Sequence, residues 1–206
     1  MEFNIRGLKI VASFESVALL AFTLILFESS GNCSAWTILA VVLHEFGHIF
    51  AMCVFKSKPQ KVCLGNLNVA IIDQKRYERS FEQDIFILFS GPFANIIASL
   101  VFYVFYLVLH EDWFFRAFLP NIFLGIFNLL PIICLDGGQI LFYIICTKLD
   151  ETKAKKITFV TSALTLTPLT ILGIFMILGN KTNFSLILLS IYLLIAIFIK
   201  RVDIYS

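Results

Sequence analysis

Three residues in one short run could do chemistry: His44 and His48, with Glu45 between them, in His44-Glu45-Phe46-Gly47-His48. Histidines four apart share a helix face, with Cβ atoms about 5–6 Å apart. Two imidazoles so placed can grip one zinc ion, and Glu45 is near enough to act on water at that ion. The run lies inside an apolar stretch, from Ala40-Val41-Val42-Leu43 before it to Ile49-Phe50-Ala51-Met52 after it. Ionisable groups at membrane depth are costly and are functional candidates for that reason.

A second run is Phe127-Asn128-Leu129-Leu130-Pro131-Ile132-Ile133-Cys134-Leu135-Asp136-Gly137-Gly138-Gln139. Pro131 removes a backbone donor and breaks a helix. Gly137 and Gly138 permit close backbone approach. A broken helix in a bilayer is tolerated where it is buried in protein or lines a wet cavity. Asp136 sits at that break and needs a partner; a metal is the obvious one. Two histidines, one carboxylate and a water make an open, four-coordinate catalytic zinc site.

These residues need membrane elements to position them. The 206-residue chain is 59% hydrophobic with 23 Phe, and its mean hydropathy is +0.91. Soluble domains are nearer 45–50% apolar. Six apolar segments are long enough to span: about 8–27, 36–55, 83–109, 114–147 (long and broken), 156–178 and 184–200. The expected fold is an all-α polytopic membrane protein, one domain over 1–206. Its catalytic core covers about 36–148, and the fourth helix is broken at Leu135-Asp136-Gly137-Gly138. Residues 62–72, with β-branched residues and a Gly65-Asn66 turn signal, predict short strands, a hairpin-like loop after the second helix. Such an edge could receive an unwound substrate, or could merely plug a cavity.

With the N-terminus in the cytoplasm, fourteen Lys and Arg fall inside; only Arg116 and Lys181 fall outside. That asymmetry fixes a multi-pass orientation with both termini cytoplasmic. The inner basic residues face an anionic leaflet, and the net charge of +2 gives no support to nucleic-acid binding. A signal peptide ending near Ala35 is a weaker reading of the N-terminus. His48 stands eight residues before Lys56, and Asp136 twelve before Lys148. Both lie about 12–18 Å from the cytoplasmic ends of their segments, so they can meet in the cytoplasmic half.

Every other polar or reactive group has a bland reading beside the functional one. Asp136 could be a helix N-cap. Cys134 could be a soft ligand or a core thiol. The five cysteines, Cys33, Cys53, Cys63, Cys134 and Cys146, form no C-x-x-C pair, and a disulfide framework is not expected. His110, beside Glu111 and Asp112, reads as interfacial. Gly91-Pro92 reads as a kink. Asn95 could make an interhelical hydrogen bond, or bind substrate backbone or a developing oxyanion. Asn128 could bond backbone freed by Pro131, or hold substrate. Glu15 reads as near the cytoplasmic interface.

Taken together, H-E-x-x-H at 44–48 and the Asn128-x-x-Pro131-x-x-x-Leu135-Asp136-Gly137-Gly138 run resemble the site-2 protease family of intramembrane zinc metalloproteases. Ser90-Gly91-Pro92-Phe93-Ala94-Asn95, between them, is similar to that family's G-P-x-x-N. Six spans with cytoplasmic termini resemble the sporulation-type bacterial branch, without an appended regulatory or peptide-binding domain. The resemblance implies one Zn2+ held by His44, His48 and Asp136, with Glu45 as general base. It implies a membrane-embedded or membrane-tethered protein substrate, the lipid bilayer as surroundings, and regulatory membrane proteins of unknown identity. A metal transporter would need further His, Asp or Glu along a path through the spans, and these are sparse. An inactive scaffold is disfavoured by the intact Glu45 and ligands.

Overall fold

The computed structural model describes residues 2–5, 8–12, 33–55, 61–65, 68–72, 79–179 and 185–205. It divides into two compact units, residues 1–129 and 130–206.

In the first unit, four short strands form one sheet in the order β1-β2-β3-β4: β1 Glu2–Ile5, β2 Leu8–Ala12, β3 Lys61–Gly65 and β4 Asn68–Ile72. β1 pairs antiparallel with β2, β2 parallel with β3 (Lys9 opposite Lys61), and β3 antiparallel with β4. The strand at β2 corrects the expectation that a helix begins near Leu8. Leu8-Lys9-Ile10-Val11-Ala12 holds two β-branched residues and a lysine that interrupts the apolar run, a pattern suited to pairing in a sheet. The remainder of the expected first span, including Glu15, lies outside the described residues.

Among the described residues of this unit there are three helices: α1 Cys33–Val54, α2 Phe81–Leu109 and α3 Asp112–Asn128. They pack pairwise on one another. α1 is turned inside out relative to a soluble helix. Val42, Phe46, Phe50 and Val54 form an exposed apolar stripe at four-residue intervals, the face a bilayer covers. Thr37, Ala40, His44, His48, Ala51 and Met52 form the buried face. α2 starts at a capping box: Gln83 N–H donates to Ser80 Oγ at 3.4 Å, and Ser80 N–H donates to Gln83 Oε1 at 3.2 Å. Arg79 pairs with Asp84 at 2.9 Å in the same turn. The helix runs unbroken through Pro92 and ends at His110, in the left-handed region at φ 54°. Trp36 of α1 stacks on Trp113 of α3 with ring centroids 5.6 Å apart, and Tyr103–Phe118 and Phe105–Phe114 contacts line the α2–α3 seam.

The second unit begins at the expected break. α3 has ended at Asn128, and α4 Asp136–Cys146 starts after a turn. Leu135 N–H donates to Ile132 O at 2.8 Å, and Ile133 N–H donates to Ser162 Oγ, also at 2.8 Å. Ser162 belongs to α5, Glu151–Gly179, and gives its own proton to Thr158 O. α5 packs on α4 and on α6, Ser185–Tyr205. Leu166, Leu189, Leu193, Ala196 and Ile197 are its buried core, whereas Leu164, Phe175 and Leu178 stand exposed.

Among the described residues, three helical segments are long and apolar enough to cross a bilayer: Ala35–Val54, Phe81–Leu109 and Glu151–Met176. By length and composition this is a multi-pass membrane protein. The broken segment supplies two helices of 17 and 11 residues, about 26 and 17 Å long. Each falls short of the roughly 30 Å hydrocarbon core.

Candidate metal centre

α1 carries the histidine pair, and α2 holds it. The two helices run antiparallel at close range because their facing residues are small. A Cβ on Gly47 would meet Gly91 Cα at 3.0 Å and Ala94 Cβ at 2.9 Å, a seam of small residues of the kind that lets membrane helices approach. Ser90 Oγ donates to Gly47 O at 2.9 Å across it.

His44 and His48 are 7% and 6% exposed. Their rings meet edge to face, with Nε2 atoms 3.2 Å apart. Two nitrogens bound tetrahedrally to zinc at 2.0–2.1 Å would be about 3.3 Å apart. The pair therefore has the spacing of one edge of a zinc tetrahedron, and its donor set fits the ion.

The rear of each ring is also held. His48 Nδ1 faces Ile87 O at 2.8 Å. A carbonyl only accepts, so Nδ1 carries the proton and Nε2 presents a lone pair toward His44. Ile87 O also accepts from Ser90 Oγ at 2.6 Å, whereas the carbonyl that loses its helical donor to Pro92 is that of Leu88, one residue on. His44 Nδ1 faces the amide of Asn95 at 3.5 Å. Ile87, Gly91 and Asn95, four apart on α2, thus form one buried stripe behind the histidines.

Asn95 was open to a structural or a substrate role; it is fully buried against His44. Asn128 is buried and donates to Leu124 O, one turn back, at 3.0 Å. Glu45 is half-buried on α1 beside the pair. Ile87 and Gly91 are contributions that motif reading missed. A carbonyl has no residue-type signature, and Gly91 was read with Pro92 as a kink rather than as space for His48. His110 is the exposed cap of α2, away from the described site residues in sequence and role.

In the second unit, Asp136 is the first residue of α4, and Leu135 is the N-cap with no side-chain cap bond. This displaces the reading of Asp136 as the cap of a helix starting near Gly138. Its carboxylate stands at a helix N-terminus, where the dipole favours negative charge. Gly138 is required behind it, because a Cβ there would meet Ile133 N at 2.5 Å. Cys134 is 3% exposed in the apolar core.

Residues 108–169 match Peptidase family M50, a segment that includes Asn128 and Asp136 but not the histidine pair. The chain is 28% identical to "Zinc metalloprotease MJ0392" of Methanocaldococcus jannaschii, over 76% of this chain and 50% of that protein. It is 26% identical to "Stage IV sporulation protein FB" of Bacillus subtilis, over 61% of this chain and 44% of that protein. The chain thus spans about half the length of these relatives. The structure of "Site-2 Protease from Methanocaldococcus jannaschii" has the same fold, with a TM-score of 0.64 at 23% identity, covering 96% of this chain and 93% of that one. By matched segment, by relatives and by fold, the chain is similar to the site-2 proteases of peptidase family M50.

Proposed function

We propose that the chain is an intramembrane zinc metalloprotease that cuts membrane-embedded or membrane-tethered proteins. The observation that carries this reading is the buried histidine pair, with Nε2 atoms at zinc-ligand spacing on one face of α1. His44 and His48, with Asp136 as third ligand, would be the two-histidine, one-carboxylate set of an open catalytic zinc site. A zinc ion held by these residues would supply a Lewis acid, able to acidify a water and polarise a carbonyl.

The rest of the reaction belongs to the chain. Glu45 takes the proton of the attacking water and gives it to the leaving amine. Buried surroundings strengthen both interactions. Asn128 is the amide that positions substrate; Asn95, first read as a second such amide, faces His44 instead. The chain crosses the membrane about six times with cytoplasmic termini, and the site opens toward the cytoplasmic half, whence water must come. The lysine- and arginine-rich connections support that orientation.

Glu45→Gln tests the activity. The variant should keep stoichiometric zinc while a membrane protein accumulates uncut in cells that carry it in place of wild type. Cleavage at the wild-type rate by a zinc-loaded Glu45→Gln protein would refute the proposed chemistry.

A further inference from the structure

Asn95 is fully buried, and its Oδ1 has no hydrogen-bond partner among the described residues. An orphaned amide oxygen in an apolar interior costs about 1–3 kcal/mol, so its retention needs an account. The proton order around it supplies one. His48 Nδ1–H donates to Ile87 O, leaving His48 Nε2 as an acceptor. His44 Nε2, 3.2 Å away, is then the donor, and His44 Nδ1 accepts from Asn95 Nδ2 at 3.5 Å, the long limit of a hydrogen bond. The groups form one chain, Asn95 to His44 to His48 to Ile87, with Oδ1 left over.

That order is incompatible with a cation on both Nε2 atoms, since His44 Nε2 must then offer a lone pair and its proton must sit on Nδ1. Nδ2 cannot accept that proton, but Oδ1 can. A half-turn of the amide about χ2 exchanges two atoms of nearly equal size and brings Oδ1 to His44. The NH2 group takes the oxygen's former place, so the flip exchanges which end of the amide is used without exposing either.

We propose that Asn95 is a positioning residue whose amide serves both tautomers of His44: it donates to Nδ1 when Nε2 holds the proton, and accepts from Nδ1–H when Nε2 turns to the metal. This rests on the zinc reading above and deepens it. Metal-bound imidazoles almost always donate their second ring N–H to an acceptor that fixes the ring, and losing that acceptor weakens binding about 10- to 100-fold. An amide is chosen over a carboxylate because only an amide can switch between donor and acceptor.

The test uses the full chain in detergent with 15N-labelled histidine, with and without zinc. Wild type should bind one zinc. Failure to do so refutes the zinc reading itself, whereas every later outcome concerns Asn95 alone. In wild type the His44 ring proton should move from Nε2 to Nδ1 on loading, and the Nδ1 proton should show a hydrogen-bonded shift. Asn95→Asp, which can only accept, should carry the proton on Nδ1 before zinc is added and bind zinc at least as tightly. Asn95→Leu should bind zinc about 10- to 100-fold more weakly in chelator competition. Affinity within about 3-fold of wild type for Asn95→Leu would overturn the proposal. So would a loaded wild type whose His44 Nδ1 proton is not hydrogen-bonded. If the leucine variant fails to fold, the wild-type spectra decide.

Discussion

A methyl group at Gly91 would be aimed at the ring of His48. The Cβ of Gly91→Ala would lie 2.5 Å from His48 Cε1 and 2.9 Å from Cδ2, with Nε2 also in contact. Ordinary carbon contact is about 3.5–4.0 Å, so the ring must retreat by about 1 Å. Its anchor resists: leaving the present position stretches the 2.8 Å bond from Nδ1 to Ile87 O. Overpacking of this kind costs about 1–3 kcal/mol, and the strained hydrogen bond about 0.5–1.5 more. Zinc-free protein can relieve both by swinging the ring to another rotamer. Zinc-loaded protein cannot, because Nε2 must stay on the ion. The penalty of about 1.5–4.5 kcal/mol therefore falls on binding, a loss of about 10- to 1000-fold in affinity at 1.4 kcal/mol per tenfold. The helix itself favours the change, since alanine is better than glycine by about 1 kcal/mol in a helix interior. Chelator competition should thus show weak zinc binding in a protein whose zinc-free thermal stability is little reduced. Zinc affinity within about 3-fold of wild type would show that His48 is not a ligand in the position found.

The turn between α3 and α4 gives further tests. Ser162→Ala strips the acceptor from Ile133 N–H and should cost about 1–3 kcal/mol. Cys134, buried next to it, should label faster with a thiol reagent, and unchanged labelling would count against that anchor. Gly138→Ala forces a Cβ onto the backbone of Ile132 and Ile133, which cannot swing aside. It should destabilise by about 3 kcal/mol or more, seen as a lowered Tm. Zinc at a hundred times its Kd should stabilise wild type by about 2.7 kcal/mol; chelation should lower the Tm of wild type and leave that of His44→Ala unchanged.

The histidine pair was legible because helix spacing alone puts residues 44 and 48 on one face. The break after Asn128 was legible because Pro131 and the paired glycines leave a helix few alternatives. What surrounds the pair was not. Ile87 contributes a carbonyl, which every residue has, and only the packing of α2 on α1 selects that one. Gly91 was visible as a flexible residue but not as the space His48 fills, because an absent side chain does not name its neighbour. Leu8–Ala12 misled for the opposite reason. A hydropathy window reads five apolar-rich residues as part of a span, whereas they sit between two strands, Glu2–Ile5 just before them and Lys61–Gly65 more than fifty residues away.

The central claim is that one ion is held by His44, His48 and Asp136. X-ray diffraction at the zinc absorption edge, from crystals of the zinc-loaded protein, tests it most directly. The account predicts a single anomalous peak about 2.0–2.2 Å from both Nε2 atoms and from one carboxylate oxygen of Asp136. A peak bound instead to Cys134 Sγ, or a histidine pair with no ion beside it, would contradict it.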